Sequence, residues 1–141
     1  MKSDLDNKLV AVVRVRGRIG VRRTINETLS RLNLDRVNCL ALVFGTPSNL
    51  GMIKKCTDFV TFGEINSEVL GRVLKKKGTK ATKEEINALI SGEKRAKDVL
   101  KLPIRLKPPR HGFESTKLSY PNGGAVGYRG EAINDLLKRM A

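Results

Sequence analysis

The 141-residue chain carries 28 Lys and Arg against 14 Asp and Glu, a net charge of +14, with 40% hydrophobic residues and no Trp. That composition supports one domain with a modest core and excludes wholesale disorder; the longest purely apolar run, Cys39 to Phe44, is far short of the ~20 residues of a membrane-spanning helix. The polar N-terminus has no secretory h-region and two cysteines are too few to staple a secreted scaffold, so a reduced, cytosolic setting is expected.

Leu9 to Arg16 is a β-branched run that turns into apolar/basic alternation, predicting a strand with Val13 and Val15 on one face and Arg14 and Arg16 displayed on the other. After the Gly17 to Gly20 loop, Ile25, Leu29 and Leu32 recur at helical spacing, and Arg23-Glu27 and Glu27-Arg31 are i,i+4 pairs. Asn38 to Phe44 is too short and too apolar for an ordinary helix and predicts a buried strand. Thr46-Pro47 starts a short helix through Lys55, and Phe59 to Ile65 predicts a third strand. Residues 1–66 thus read β-α-β-α-β, a core domain expected to close on its own.

Residues 67–102 predict a helical subdomain. Ser67 is expected to cap a helix bearing Val69, Leu70, Val73 and Leu74, which ends at Gly78. Thr82 and Glu85 have the spacing of a capping box before Ile86, Leu89 and Ile90, and Gly92 ends that helix; Ala96 to Leu100 would join it. Four of the five prolines lie between Pro103 and Gly130, so residues 103–141 are expected to be an extended basic segment ending in a helix. That helix, Gly130 to Met140, has Ile133, Leu136, Leu137 and Met140 on one face and charges that follow the helix dipole.

A strongly basic surface attracts polyanions, of which nucleic acid is the commonest. The chain carries 11 basic and 6 acidic residues up to Asn66 and 17 and 8 after it, +5 and +9, so the footprint is broad. Arg14, Arg16, Arg18, Arg22 and Arg23 fall within ten residues at a strand end, a Gly loop and a helix start, where guanidinium forks and helix amides both favour phosphate. Arg105, Lys107, Arg110 and His111 flank Pro108-Pro109, whose extended backbone suits a phosphate track that orders on binding. Lys54, Lys55, Lys117 and Arg129 complete the basic candidates. Phe113, Tyr120 and Tyr128 read better as packing groups than as base stackers, and Cys39 and Cys56 as small core residues. Neither a Walker motif nor a G-x-G-x-x-G is present, and two cysteines with one histidine make no metal site, so no cofactor is expected. An RNA-processing enzyme would need acid–base partners for His111 that the sequence does not supply. A chromatin-like architectural nucleic-acid-binding protein is the rival reading; it would prefer duplex DNA.

Leu9 to Gly17, Thr24-Ile25 with Thr28-Leu29 and Leu32, Thr46-Pro47 with Gly51-Met52-Ile53, Arg105-Leu106 with Pro108-Pro109-Arg110 and Gly112-Phe113, Gly123-Gly124, and Ile133-Asn134 with Leu136-Leu137 and Met140 follow one another in order. Together they resemble the ribosomal protein L-thirty family of the large subunit, in its long archaeal and eukaryotic (L-seven-like) form. Lys107 departs from a position where that form often has His, and the lack of a long N-terminal arm resembles archaeal members. The resemblance implies a ferredoxin-like β-α-β-α-β core with an antiparallel three-stranded sheet. It also implies a non-enzymatic structural constituent of the large ribosomal subunit that binds 23S ribosomal RNA near the 5S RNA and touches neighbouring subunit proteins. Neither a membrane nor a small-molecule substrate is implied. Carried over by matching motif, the RNA-facing residues would be Arg14, Arg16, Arg18, Arg22, Arg23, Asn49, Met52, Arg105, Lys107, Arg110 and His111.

Overall fold

In the computed structural model, which describes residues 5–78, 80–95 and 104–141, the two most apolar runs form neighbouring strands with cores on both sides. β1 (Leu9–Arg14) pairs antiparallel with β2 (Cys39–Phe44) and with β3 (Val60–Glu64). Alternate residues of β1 serve opposite layers: Val10 and Val12 pack with Leu29, Ile53 and Phe62, whereas Leu9, Ala11 and Val13 pack with Leu70, Leu74, Leu89 and Leu136. Burial on both faces explains why β1 and β2 are nearly unbroken apolar runs.

The first layer is α1 (Arg23–Arg31) and α2 (Pro47–Lys55). Thr46 caps α2 by accepting from the Asn49 amide, with Pro47 at the first helical position. The second layer is α3 (Ser67–Lys76), α4 (Lys83–Ser91) and α5 (Ile133–Met140). The expected capping box of α4 is present, Thr82 accepting from the Glu85 amide and Glu85 from that of Thr82. Cys39 and Cys56 are both free and buried in the first layer, and burial pushes the Cys56 thiol up.

The chain is α+β, and the expected order β1-α1-β2-α2-β3 is observed. Among the described residues, however, the sheet has six strands where three were expected, in the order β4 (Ile104–Arg105), β2, β1, β3, β6 (Gly124–Tyr128), β5 (Ser115–Ser119). Two-residue β4 (Ile104–Arg105) extends β2, and β6 (Gly124–Tyr128) joins β3 in parallel through Thr61–Gly127 and Phe62–Tyr128. Exposed, Ser- and Lys-bearing β5 (Ser115–Ser119) forms the outer edge beside β6, with a shift of register. Residues 104–141 are therefore no loose tail. They complete the sheet and, through Ile104, Leu106 and α5, the second apolar layer.

Smaller departures have local causes. β1 ends at Arg14, because the Val15 and Arg16 amides both donate to the Phe59 carbonyl, at 2.9 and 3.2 Å. Asn66, not Ser67, is the N-cap of α3, and it caps without a side-chain bond. The last helix starts at Ile133, after a single 3-10 turn at Gly130–Ala132. Gly63 lets that turn cross β3 closely: a Cβ there would collide with the Gly130 carbonyl and the Ile133 side chain. Ala96 to Leu100 lies outside the described residues.

Candidate nucleic-acid interface

Antiparallel pairing brings the ends of β1 and β4 and the starts of β2 and β3 to one rim of the sheet, since Val13 pairs with Leu40, Arg14 with Val60 and Cys39 with Arg105. Loops on that rim are tied together. The Asn38 amide donates to Arg14 O at 2.9 Å, the Leu106 amide donates to Asn38 O at 3.0 Å, and Arg18 Nε donates to Asp35 O. Exposed Arg16, Arg18, Arg36, Arg105 and Lys107 therefore belong to three segments that share this rim. The rim also takes the end of α2, which leads into β3 and carries exposed Lys54 and Lys55. It takes the end of α5 as well, where the Lys107 amide donates to Met140 O at 3.2 Å and the Arg110 amide to Arg139 O at 3.4 Å. Cations in the last turns of α2 and α5 also offset the partial negative charge of those helix ends.

The loop from Arg16 leads to α1, whose first turn contains no acidic residue and whose N-cap, Arg22, makes no side-chain capping bond. Arg23 is exposed and pairs with Glu27 at 3.2 Å. Phosphate oxygens suit such a helix start, because its first amides have no intrahelical partner.

Two arginines of the expected set do not present themselves to solvent. Arg14 is 1% exposed. Its guanidinium donates to Leu34 O at 2.6 Å, Arg16 O at 2.9 Å and Gly17 O at 3.3 Å, because the loops after β1 and α1 fold back across it. Burial pulls its pKa below the ordinary arginine value, and Arg18 adds to the effect. Arg129, 7% exposed, donates to Thr61 Oγ1 at 2.7 Å, Ala125 O at 3.0 Å and Glu114 Oε2 at 3.2 Å. Alternation along β1 marked Arg14 as outward, but a six-stranded sheet with a layer on each side leaves no open face there.

The Pro-rich stretch is not a free strap either. Leu106, Lys107, Arg110 and Gly112 all donate backbone bonds that fix its path, leaving the Lys107, Arg110 and His111 side chains exposed. Asn49 and Met52 stand apart from the rim. Asn49 Nδ2 donates to Phe44 O at 2.9 Å, at the far end of β2, and both residues line a cavity beside Ala41 and Val43. Lys117 is exposed on β5 at the sheet's edge. Phe113 and Tyr128 pack on the core, and Tyr120 lies under the Arg129 guanidinium at 5.0 Å. Arg36 was not singled out from the sequence; its signal is the Asp35-Arg36-Val37-Asn38 turn directly before a buried strand. Its placement on the rim follows only from the antiparallel pairing.

Residues 10–60, β1 to the start of β3, match the family model described as ribosomal protein L30p/L7e. Over nearly the whole length, the chain is 43% identical to the large ribosomal subunit protein uL30 of Methanocorpusculum labreanum, with 94% of this chain and 99% of that protein aligned. The chain belongs to the ribosomal protein L30p/L7e family. Its similarity to the uL30 proteins of Methanobrevibacter smithii and Nanoarchaeum equitans is 40% identity in each case, over 92% and 93% of this chain and 97% of each relative. The resemblance drawn from the ordered motifs therefore holds, including its archaeal character. L30p/L7e is a family of ribosomal proteins and not of enzymes. No helix among the described residues of this L30p/L7e member is long and apolar enough to cross a membrane.

Proposed function

We propose that the chain is a structural constituent of the large ribosomal subunit, in the cytoplasm, that binds 23S ribosomal RNA near the 5S RNA through the basic rim of its sheet. The observation that carries this reading is the convergence of exposed Arg16, Arg18, Arg36, Lys54, Lys55, Arg105, Lys107 and Arg110 from four segments onto one rim. Arg22, Arg23 and His111 border that surface, and Lys117 on β5 is a separate, weaker candidate. Arg14 supports the rim from inside, Arg129 joins β6 to β3 and to Glu114, and neither is placed among the contacts. The names of the similar proteins supply the large subunit; neighbouring subunit proteins are the expected further partners. The mechanism is charge neutralisation: cations held at fixed spacing displace counterions and lock adjoining RNA segments together.

Binding to deproteinised large-subunit RNA, titrated over a range of salt, tests the reading. With about six to ten phosphate contacts, affinity falls by roughly 10³–10⁵ between 50 and 200 mM salt, by analogy with duplex DNA. A nearly flat dependence, or an equal preference for duplex DNA, contradicts it.

A further inference from the structure

Ile19 is 101% exposed, at the tip of the loop between β1 and α1. It has exposed Arg16 and Arg18 on one side and exposed Arg22 and Arg23 on the other. From these observations, and resting on the RNA-binding reading above, we infer that Ile19 is an apolar wedge that seats against an unstacked base of the bound RNA while the four arginines hold the phosphates around it.

The root of this loop is fixed. Arg14 donates to the carbonyls of Arg16 and Gly17 from below, the Arg16 amide donates to Phe59 O, and Arg18 Nε donates to Asp35 O. The Arg16 guanidinium also lies over the Phe59 ring, 5.4 Å from its centroid. The tip is free of neighbours by contrast: a Cβ on Gly17 or Gly20 would have no atom within 4 Å, and Gly20 turns the chain at φ +75°. A flat aromatic base can thus reach the loop from either side. An isolated apolar side chain at a surface needs no explanation. This one differs in standing at full exposure on a pinned loop, centred in a cluster of cations that draws a phosphate backbone to both of its sides. Between phosphates, the surface that RNA offers is ribose and base, which an aliphatic side chain contacts by dispersion and desolvation. A pinned loop also loses little conformational freedom when it binds.

An apolar contact and a phosphate contact respond differently to salt, because only the second releases counterions. The test uses the full chain with deproteinised large-subunit RNA. Ile19→Ala should lower affinity about tenfold at every salt concentration, giving a log K against log salt line parallel to the parent's. Arg18→Ala should weaken binding and make the line shallower by about one unit. The thermal midpoint of Ile19→Ala should equal the parent's, and that of Arg18→Ala, which loses its exposed bond to Asp35 O, should fall only slightly. Because the chain has no Trp, Ile19→Trp supplies a single indole whose emission should be quenched on RNA binding and protected from acrylamide. Unchanged affinity of Ile19→Ala, or an indole that stays fully accessible in the complex, overturns the wedge and leaves the RNA reading intact. A parent chain that does not bind the RNA overturns both.

Discussion

A guanidinium enclosed by protein needs its solvation replaced by protein acceptors. For Arg14 three backbone carbonyls from two loops do this, so the side chain joins the turn after β1 to the turn after α1. Arg14→Ala leaves those carbonyls without a donor and opens a void, and is expected to destabilise the fold by about 3 kcal/mol. Arg14→Lys should recover little of this, since an ammonium cannot reproduce the planar fork. Arg16→Ala, two positions on and exposed, should leave the unfolding free energy within about 0.5 kcal/mol of the parent's. Glu114 shows a second kind of dependence. Its own backbone N–H and Arg129 hold its carboxyl below the usual range despite partial burial. The folded value is depressed, so the stabilisation is fully present above the unfolded value of about 4.3 and is lost as pH falls through the folded one. With the side chain 46% exposed, the effect is small, on the order of 0.5–1 kcal/mol after screening. Melting curves of the parent and Glu114→Gln should differ at pH 6 and draw together as the pH is lowered below about 4.

Between elements, one polar side chain joins three pieces of chain. Asn134, buried on α5, accepts from the Asn66 amide at 2.9 Å and donates to Glu64 O at 3.1 Å and Glu131 O at 3.0 Å. It accepts from the amide of the α3 N-cap residue, as the Glu of a capping box would, and fastens α5 to the end of β3. Asn134→Ala is expected to cost about 2–3 kcal/mol, read by denaturant titration, and Asn134→Asp a comparable amount because both donors are lost. Elements with their own signal were legible from sequence. The capping box of α4, the Thr46-Pro47 start of α2 and the apolar runs of β1 and β2 each declare themselves locally. β4 has only two residues, β5 is an exposed polar edge, and β6 is Gly-Ala-Val-Gly-Tyr, whose small residues carry no strand signature. β4 and β6 join the sheet through β2 and β3, more than sixty residues earlier in the chain, so local pattern had nothing to report of those pairings. Asn134 itself was seen only as a matching letter in a motif, because two of its three partners, Glu64 and Asn66, are brought to it only by folding.

At the scale of the molecule, the sheet is shared between two apolar layers, and the second depends on residues beyond 66. A fragment of residues 1–66 retains β1, β2 and β3 with α1 and α2, but leaves Leu9, Ala11, Val13, Leu40 and Leu42 uncovered. Contrary to a core that closes alone, this fragment should show no cooperative thermal transition and should bind a hydrophobic dye; a sharp melt would show that one layer suffices. The candidate surface was half legible for the same reason. A count of charges located the loop after β1 and the Pro-rich stretch, yet only the pairing of β1, β2 and β4 makes them neighbours, and only the covering layers reveal which arginine is inside.

The docking of α5 has a consequence for how the protein is made. Every other described element precedes α5 in the chain, yet Ile133, Leu136, Leu137 and Met140 fill the second layer and the Met140 carbonyl holds Lys107 in place. During synthesis, β1 through α4 emerge with that side of the sheet unclosed and without the α5 carbonyls that hold the Lys107 and Arg110 amides at the rim. The candidate cationic surface is therefore complete only once α5 has docked, and a chain cut short before Ile133 is expected to bind RNA more weakly than the full chain, as filter binding of the two would show.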